Sequence, residues 1–526
     1  MAVERPLRSA ATRPTAGGPD MTTTTTPPYR PGRIVSGSGL PALLTESPDA
    51  VPLLPHTPEP ACLLTARQLR DELLPRWREG VERQARALVR RARGALDGPG
   101  ATTPYERLDD PAHRRAALVA ELFRDEGTSA NAARVDGLAL QRHVAGALSA
   151  AEPPRFELAW GQPKRDVGGL KTAGRWADLA EVYAVGRLVA LVLAARELAE
   201  DDRFGMTVYS GGNRFAAALF AEPELLLEYD RQRCRIADAL TDAGAVDFQD
   251  FAAAKRADPA EQEAHEQRVR EQLAALTDAD VDAQMPVMLF NVDWPRVLPM
   301  AAAGEAPHGV EMAPHVARWL AESPDDRTPL LTRAAVTCAV SPALRTRWAE
   351  VFGDRREVLD DAVAFAVAVG RASAARYTAI ARADRGAPGA LTGGPHTVRL
   401  TVHEKRDRPD VPALLTLGAR GGGLLSQHVV ARVPAEGPVV FASVAETLVQ
   451  APDAAPVLLE PGDGDPVVAA DGVALGAAGG ASLEPADRAP RLFDWLSRER
   501  QPLCFASGPE PSVRRALAHI LDPGHG

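Results

Sequence analysis

Cysteine is sparse in this 526-residue chain: Cys62, Cys234, Cys338 and Cys504 stand far apart, and no two form a C-x-x-C pair. A disulfide framework or a thiolate zinc site needs thiols at short, regular spacing, so neither organises this chain, and a reducing cytoplasm is the expected compartment. Aromatic residues make up only 5% of the sequence, which leaves Ala, Val and Leu to build the core. Long apolar runs are missing too. The best candidate, YAVGRLVALVLAA, carries Arg187 and falls short of the roughly 20 apolar residues that a bilayer requires. The opening MAVERPLRSAATRPTAGGPD lacks the apolar stretch of a secretory signal, and Met21 is an alternative start. A soluble chain with no membrane partner is expected.

Several catalytic signatures are absent as well. HEQRV at His265 and HEKRD at His403 begin like a zinc-protease helix but lack the second histidine four residues on. There is no G-x-S-x-G elbow, no G-x-G-x-x-G loop and no Walker loop, which sets aside serine hydrolase, nicotinamide dehydrogenase and P-loop chemistry. A net charge of −10 gives no overall attraction to phosphate backbones, so small-molecule substrates are favoured over nucleic acid.

The patterning of what remains divides the chain. Residues 1–60, rich in Thr, Pro and Gly, read as a disordered or loosely ordered arm, and residues 61–150 as a helical N-terminal region. Residues 151–445 read as a Rossmann-like catalytic core with a helical insertion around 240–360, and residues 446–526 as a small C-terminal α/β extension. No solenoid repeat is evident. The core assignment rests on RFELAW, a helix over about 177–200 and a strand over 205–209: strand, helix, strand within some 55 residues, the mark of a parallel α/β sheet. MPVMLFNVDW is expected as a strand or buried segment.

Within that core, Asp178 and Glu181 have D-x-x-E spacing at a helix start, which suits a capping box as well as a working carboxylate pair. Lys164, Arg165 and Lys171 precede the same helix start, where backbone donors and the dipole favour anions. Ser210, Gly211, Gly212, Asn213 and Arg214 follow a strand, as a ligand loop or a tight turn would. In HTVRLTVHE, Val398, Leu400 and Val402 share one face and Thr397, Arg399, Thr401 and His403 the other. Arg399 and His403 then stand about 13 Å apart, too far to grip one small group and suited either to an extended anion or to solvent.

In order and spacing these blocks resemble the isocyanide synthase family, which includes the pyoverdine and dityrosine biosynthesis proteins. Members carry a lysine loop and a G-x-x-P-D-x-x-E helix start, matched by Lys164, Lys171 and GRWADLAE ending at Glu181; then a strand ending S-D-G, matched by Ser210, Gly211, Gly212 and Phe215, with Tyr229 in the place of a following tyrosine. R-L-S-I-H-P and T-P-W-H are matched by RLTVHE from Arg399 and by LSQH ending at His428. Residues 155–235 and 360–445 look family-like. Gly211 replaces an aspartate, Glu404 a proline, and Gln427 stands where tryptophan is usual.

The resemblance implies an enzyme that joins the α-amine of an amino acid to ribulose 5-phosphate and leaves a terminal isocyanide, with no metal or nicotinamide cofactor. It implies Lys164, Lys171, Arg214 and Arg399 as anion holders, Ser210, Gly211, Gly212 and Tyr229 as further substrate contacts, and His403, His428 and Glu181 as proton carriers. A downstream iron-dependent oxygenase is the implied metabolic partner. Two alternatives stay open: an amino-acid condensing or ligating enzyme, aminoacyl-tRNA dependent, on the same fold, and a non-catalytic relative.

Overall fold

Helix α1 (Leu74–Asp97) repeats apolar residues at three- and four-residue spacing, and Val81, Ala85, Leu88, Val89, Ala92 and Leu96 are buried while the opposite side is charged. A single apolar stripe is satisfied only by packing inward. A computed structural model of the chain describes residues 61–65, 74–98, 104–150, 153–160, 179–210, 213–241, 244–250, 259–385, 397–402, 410–414, 430–432, 440–442, 458–459, 467–470, 473–475 and 502–507. Helix α2 (Pro111–Arg124) starts at Asp110, whose carboxylate accepts from the Ala112 N–H, and α3 (Gly137–Leu148) starts at Asp136, which accepts from the Ala139 N–H. Helix α4 (Leu179–Ala199) is apolar on nearly every side and lies inside, against α1 and α2.

The sheet beneath is wholly parallel. Strands β2 (Arg155–Trp160), β3 (Gly205–Ser210), β4 (Val246–Asp250) and β5 (Thr397–Thr401) lie in the spatial order β4-β3-β2-β5. The chain runs outward from β2 through α4 to β3, and through helix α5 (Pro223–Leu240) to β4, then returns to the other side of β2 as β5. The order therefore reverses between β2 and β5, and in open α/β sheets the crevice beyond the carboxyl ends at such a point is where ligands bind. The α/β class with a parallel sheet and helical N-terminal region is as the sequence implies. Strand β4 is not foreseen: VDFQD alternates Val246 and Phe248, both buried, with Asp247 and Gln249, a pattern too short and too charged to stand out.

Register sorts the two sheet faces. Phe156, Leu158, Met206, Val208, Val398 and Leu400 share one face and are buried in a single core with α1 to α5. The other face is polar, and across it Arg399, Glu157, Thr207 and Asp247 form one row, residue beside residue.

Residues 259–385 form a second, all-helical core of α6 (Pro259–Ala274), α7 (Asp278–Leu289), α8 (Trp294–Ala302), α9 (Pro314–Glu322), α10 (Pro324–Val340), α11 (Arg345–Phe352) and α12 (Arg356–Arg385). Its centre holds Trp294, Trp348, Leu331 and Leu359. MPVML is the end of α7 rather than a strand; Met288, Leu289, Phe290 and Val292 are buried, so the apolar run marks a helix end entering the core. Gly370 in α12 lets the two helices close up, since a Cβ there would lie 2.7 Å from Leu289 Cδ2.

Short strands complete the described residues. β1 (Ala61–Thr65) pairs antiparallel with β11 (Pro502–Ser507), which runs beside β6 (Val430–Arg432) and so joins β7 (Val440–Ala442); β8 (Leu458–Leu459), β9 (Val467–Ala470) and β10 (Val473–Leu475) form an antiparallel sheet of three. Among the described residues no helix is long and apolar enough to cross a membrane.

Candidate functional site

At the carboxyl edge of β3 the chain buries charge. Ser210, the last residue of the strand, donates its hydroxyl hydrogen bond to Asp230 Oδ2 at 2.5 Å, and the other oxygen of Asp230 accepts from Arg233 in an ion pair within α5. Arg233 is 1% exposed. Its guanidinium lies 4.5 Å from the ring centre of Phe248, 4.6 Å from that of Tyr229 and 5.6 Å from that of Trp160, so the charge is faced by aromatic rings and neutralised by a carboxylate. Sequence explains the placement: Tyr229, Asp230 and Arg233 fall within one turn of α5, and Trp160 and Ser210 are register partners at the ends of β2 and β3.

The same turn carries a second polar contact. Tyr229 donates its hydroxyl hydrogen bond to Glu181 Oε1 at 2.7 Å, and both residues are buried. Glu181 lies in the first turn of α4, where the N-terminal end of the helix favours a carboxylate. Asp178, its partner in the capping-box reading, lies outside the described residues. Glu181 and Tyr229 are thus paired out of contact with solvent, next to the buried Asp230–Arg233 pair.

Beyond Ser210 the chain enters the helical core. Phe215 packs there against Tyr377, ring centres 4.2 Å apart, and Arg214 pairs with the buried Asp384 of α12, which also faces His265 Nδ1 at 3.4 Å. Arg214, expected as an anion holder, is engaged by a carboxylate from the far end of a 30-residue helix.

The structure brings Glu181, Ser210 and Tyr229 together and separates Arg399 from them. Arg399 is register partner to Glu157, and Ser210 to Trp160. Glu157 and Trp160 are three positions apart on β2, which puts Arg399 and Ser210 on opposite sheet faces. Val398, Leu400 and Val402 are buried, as the period-two reading has it, and Arg399 shares the polar face with Thr397 and Thr401. Lys164, Lys171, Gly211, Gly212, His403 and His428 lie outside the described residues. Among the described residues no cluster of three or more His, Cys, Asp or Glu side chains suits a metal ion.

Asp230, Arg233 and Asp384 escape the sequence reading, and His265 is met there only as the start of an incomplete zinc-protease pattern, with no hint of its partner Asp384. YDRQR looks like an ordinary charged helix face, and the pairing of Arg214 with Asp384 spans 170 residues.

Neither a protein-family model nor a curated protein matches this sequence. Among solved structures the chain is similar to the PvcA protein from Pseudomonas aeruginosa, at 17% identity and a TM-score of 0.32, over 69% of this chain and 93% of that one. A likeness this faint is a distant relationship at most and carries no inference about the reaction.

Proposed function

We propose that the chain is a biosynthetic enzyme that acts on the α-amine of an amino acid and converts it to an isocyanide, with ribulose 5-phosphate as the carbon donor. The observation that carries the reading is the convergence of Glu181, Tyr229 and Ser210 in one buried network at the carboxyl edge of a parallel sheet. These residues come from two separate blocks of the family-like sequence.

The chemistry makes definite demands. Condensing an amine with a ketone expels water, which needs an acid for the departing hydroxyl, and fragmenting the adduct needs a base. In this proposal Glu181 serves both steps, with Tyr229 setting its hydrogen bonding, and His403 and His428 carry further protons. Lys164 and Lys171 hold the phosphate and the amino-acid carboxylate; Arg399, on the opposite face of the sheet from Ser210, has no part in holding them. Gly211 and Gly212 admit substrate close to the backbone. Arg214, paired with Asp384, anchors the loop to the helical core and contacts substrate from there. This reading expects a downstream iron-dependent oxygenase as a metabolic partner.

The test is a reaction of the full chain with each proteinogenic amino acid, with and without ribulose 5-phosphate, read by mass spectrometry. A product that has gained one carbon and lost two hydrogens, formed only when both substrates are present, is expected. Its absence for every amino acid overturns the proposal.

A further inference from the structure

Helix α6 is fixed to the helical core by little apolar surface. Of its 16 residues only His265 is buried. Val269 reaches the core half-buried, and Leu273 is 39% exposed. By contrast α7 buries Val281, Met288 and Leu289, and α9 buries Val316, Trp319 and Leu320. In place of an apolar stripe α6 has bonds within itself: Gln267 donates to Glu271 one turn on at 2.9 Å, and Arg270 donates back to Gln267 at 2.9 Å. Pairs of this kind add little, and a helix of this length is marginal in water unless one of its faces is packed. An element with so few buried apolar contacts opens more readily than the core around it.

The one buried side chain is aimed at a charge. His265 Nδ1 faces Asp384 Oδ1 of α12 at 3.4 Å, and the other carboxylate oxygen pairs with Arg214. Asp384 is 2% exposed, and a carboxylate that far from water is stable only with partners. It thereby joins two stretches of chain that leave the same edge of the sheet. Ser210 and Asp250 are register partners at the ends of β3 and β4; Arg214 follows Ser210 by four residues, and Pro259, which opens α6, follows Asp250 by nine. Arg214 belongs to the segment 213–221, in which the Ala221 N–H donates to the Ala216 carbonyl oxygen at 3.0 Å.

We propose that α6 is a strap latched onto the helical core by His265, and that the latch, acting through Asp384 and Arg214, holds the segment beyond Ser210 at the carboxyl edge of the sheet. Docked, α6 supplies one of the partners of the buried carboxylate. Undocked, that partner is withdrawn and water reaches the ion pair, so the segment loosens together with the helix. The strap thus opens and closes the edge at which open α/β sheets take their ligands, whatever the reaction carried out there.

The experiment is hydrogen exchange of the full chain at a series of low guanidinium concentrations, read by mass spectrometry. The amides of α6 are expected to exchange roughly 100-fold faster than those of α12 and β3, below the denaturant concentration that unfolds the chain, with the peptide 213–221 opening in the same step. His265→Ala should speed exchange in both α6 and 213–221 about tenfold and leave β3 and α4 unchanged. Alanine is the better helix former, so lost protection in that variant does not come from helix propensity. His265→Asn keeps a donor at the place of Nδ1 and should restore most of the protection. Opening of α6 only with global unfolding, opening of α6 without 213–221, wild-type exchange in the alanine variant, or an asparagine variant no better protected than the alanine one would each overturn the proposal.

Discussion

Tyr229 and Glu181 meet at 2.7 Å in a position closed to solvent, tying the first turn of α4 to α5 beside the end of β3. The contact links the two crossover helices of the parallel sheet at the edge where such sheets bind ligands. Replacing Tyr229 by Phe keeps the ring against Arg233 and removes the hydroxyl that donates to Glu181. A loss of about 1–3 kcal/mol in stability is expected, seen as a lower thermal midpoint. Turnover should fall more steeply in Glu181→Gln, by roughly 100-fold or more if the carboxylate is the general acid–base.

The pair Asp230–Arg233 makes a sharper structural prediction. Asp230→Asn removes the carboxylate from a guanidinium that is 1% exposed, and leaving such a charge unmatched costs about 3–5 kcal/mol. The double variant Asp230→Leu/Arg233→Met removes both charges and should be more stable than Asp230→Asn. Chemical denaturation of the variants side by side measures this, and a double variant less stable than the single one would contradict it.

Acid should weaken the helical core at one identifiable place. Burial holds the His308 imidazole below its usual 6.5, an effect only partly opposed by its Nε2 donating to the Ala218 carbonyl oxygen at 3.1 Å. With the folded value depressed, the unfolded chain binds the proton first. Stability is therefore full above about pH 6.5 and falls as the pH drops below it toward the folded value. His308 has a φ of 53°, which asparagine also tolerates, so His308→Asn should flatten the stability profile below about pH 6.5. An unchanged slope in that variant would show that another group is responsible.

Thiol chemistry follows from burial. The Cys338 thiol is pushed up to about 12 and Cys234 is also raised, in both cases chiefly by burial, so neither forms appreciable thiolate at neutral pH. Brief treatment of the folded chain with iodoacetamide at pH 8 should leave both unmodified in peptide mass maps, and full modification should require denaturant.

What could be read from the sequence was whatever is local. The long helix at α4, the strand before it and the alternation of Val398, Leu400 and Val402 follow from periodicity within a few residues, and all three appear in the fold. Strand β4 does not stand out in the sequence, and the end of α7 reads equally as a strand or a buried segment, because a five-residue segment holds too few periods and an apolar run does not distinguish a buried helix end from a strand. At the site, Glu181, Ser210 and Tyr229 could be picked out, but what they touch could not. Ser210 meets Asp230 across 20 residues and Arg214 meets Asp384 across 170, and no local pattern encodes a partner at that distance. The parity that separates Arg399 from Ser210 is likewise invisible until the register of β2 with its neighbours is known.

The account stands or falls on the reaction at the carboxyl edge of the sheet. Wild type and Glu181→Gln, each with its amino-acid substrate and ribulose 5-phosphate carrying carbon-13 at the ketone position, can be compared by mass spectrometry of the products. The prediction is one labelled carbon gained and two hydrogens lost in the wild-type product, with little product from the variant. An unlabelled product, or labelled product formed equally well by Glu181→Gln, would contradict it.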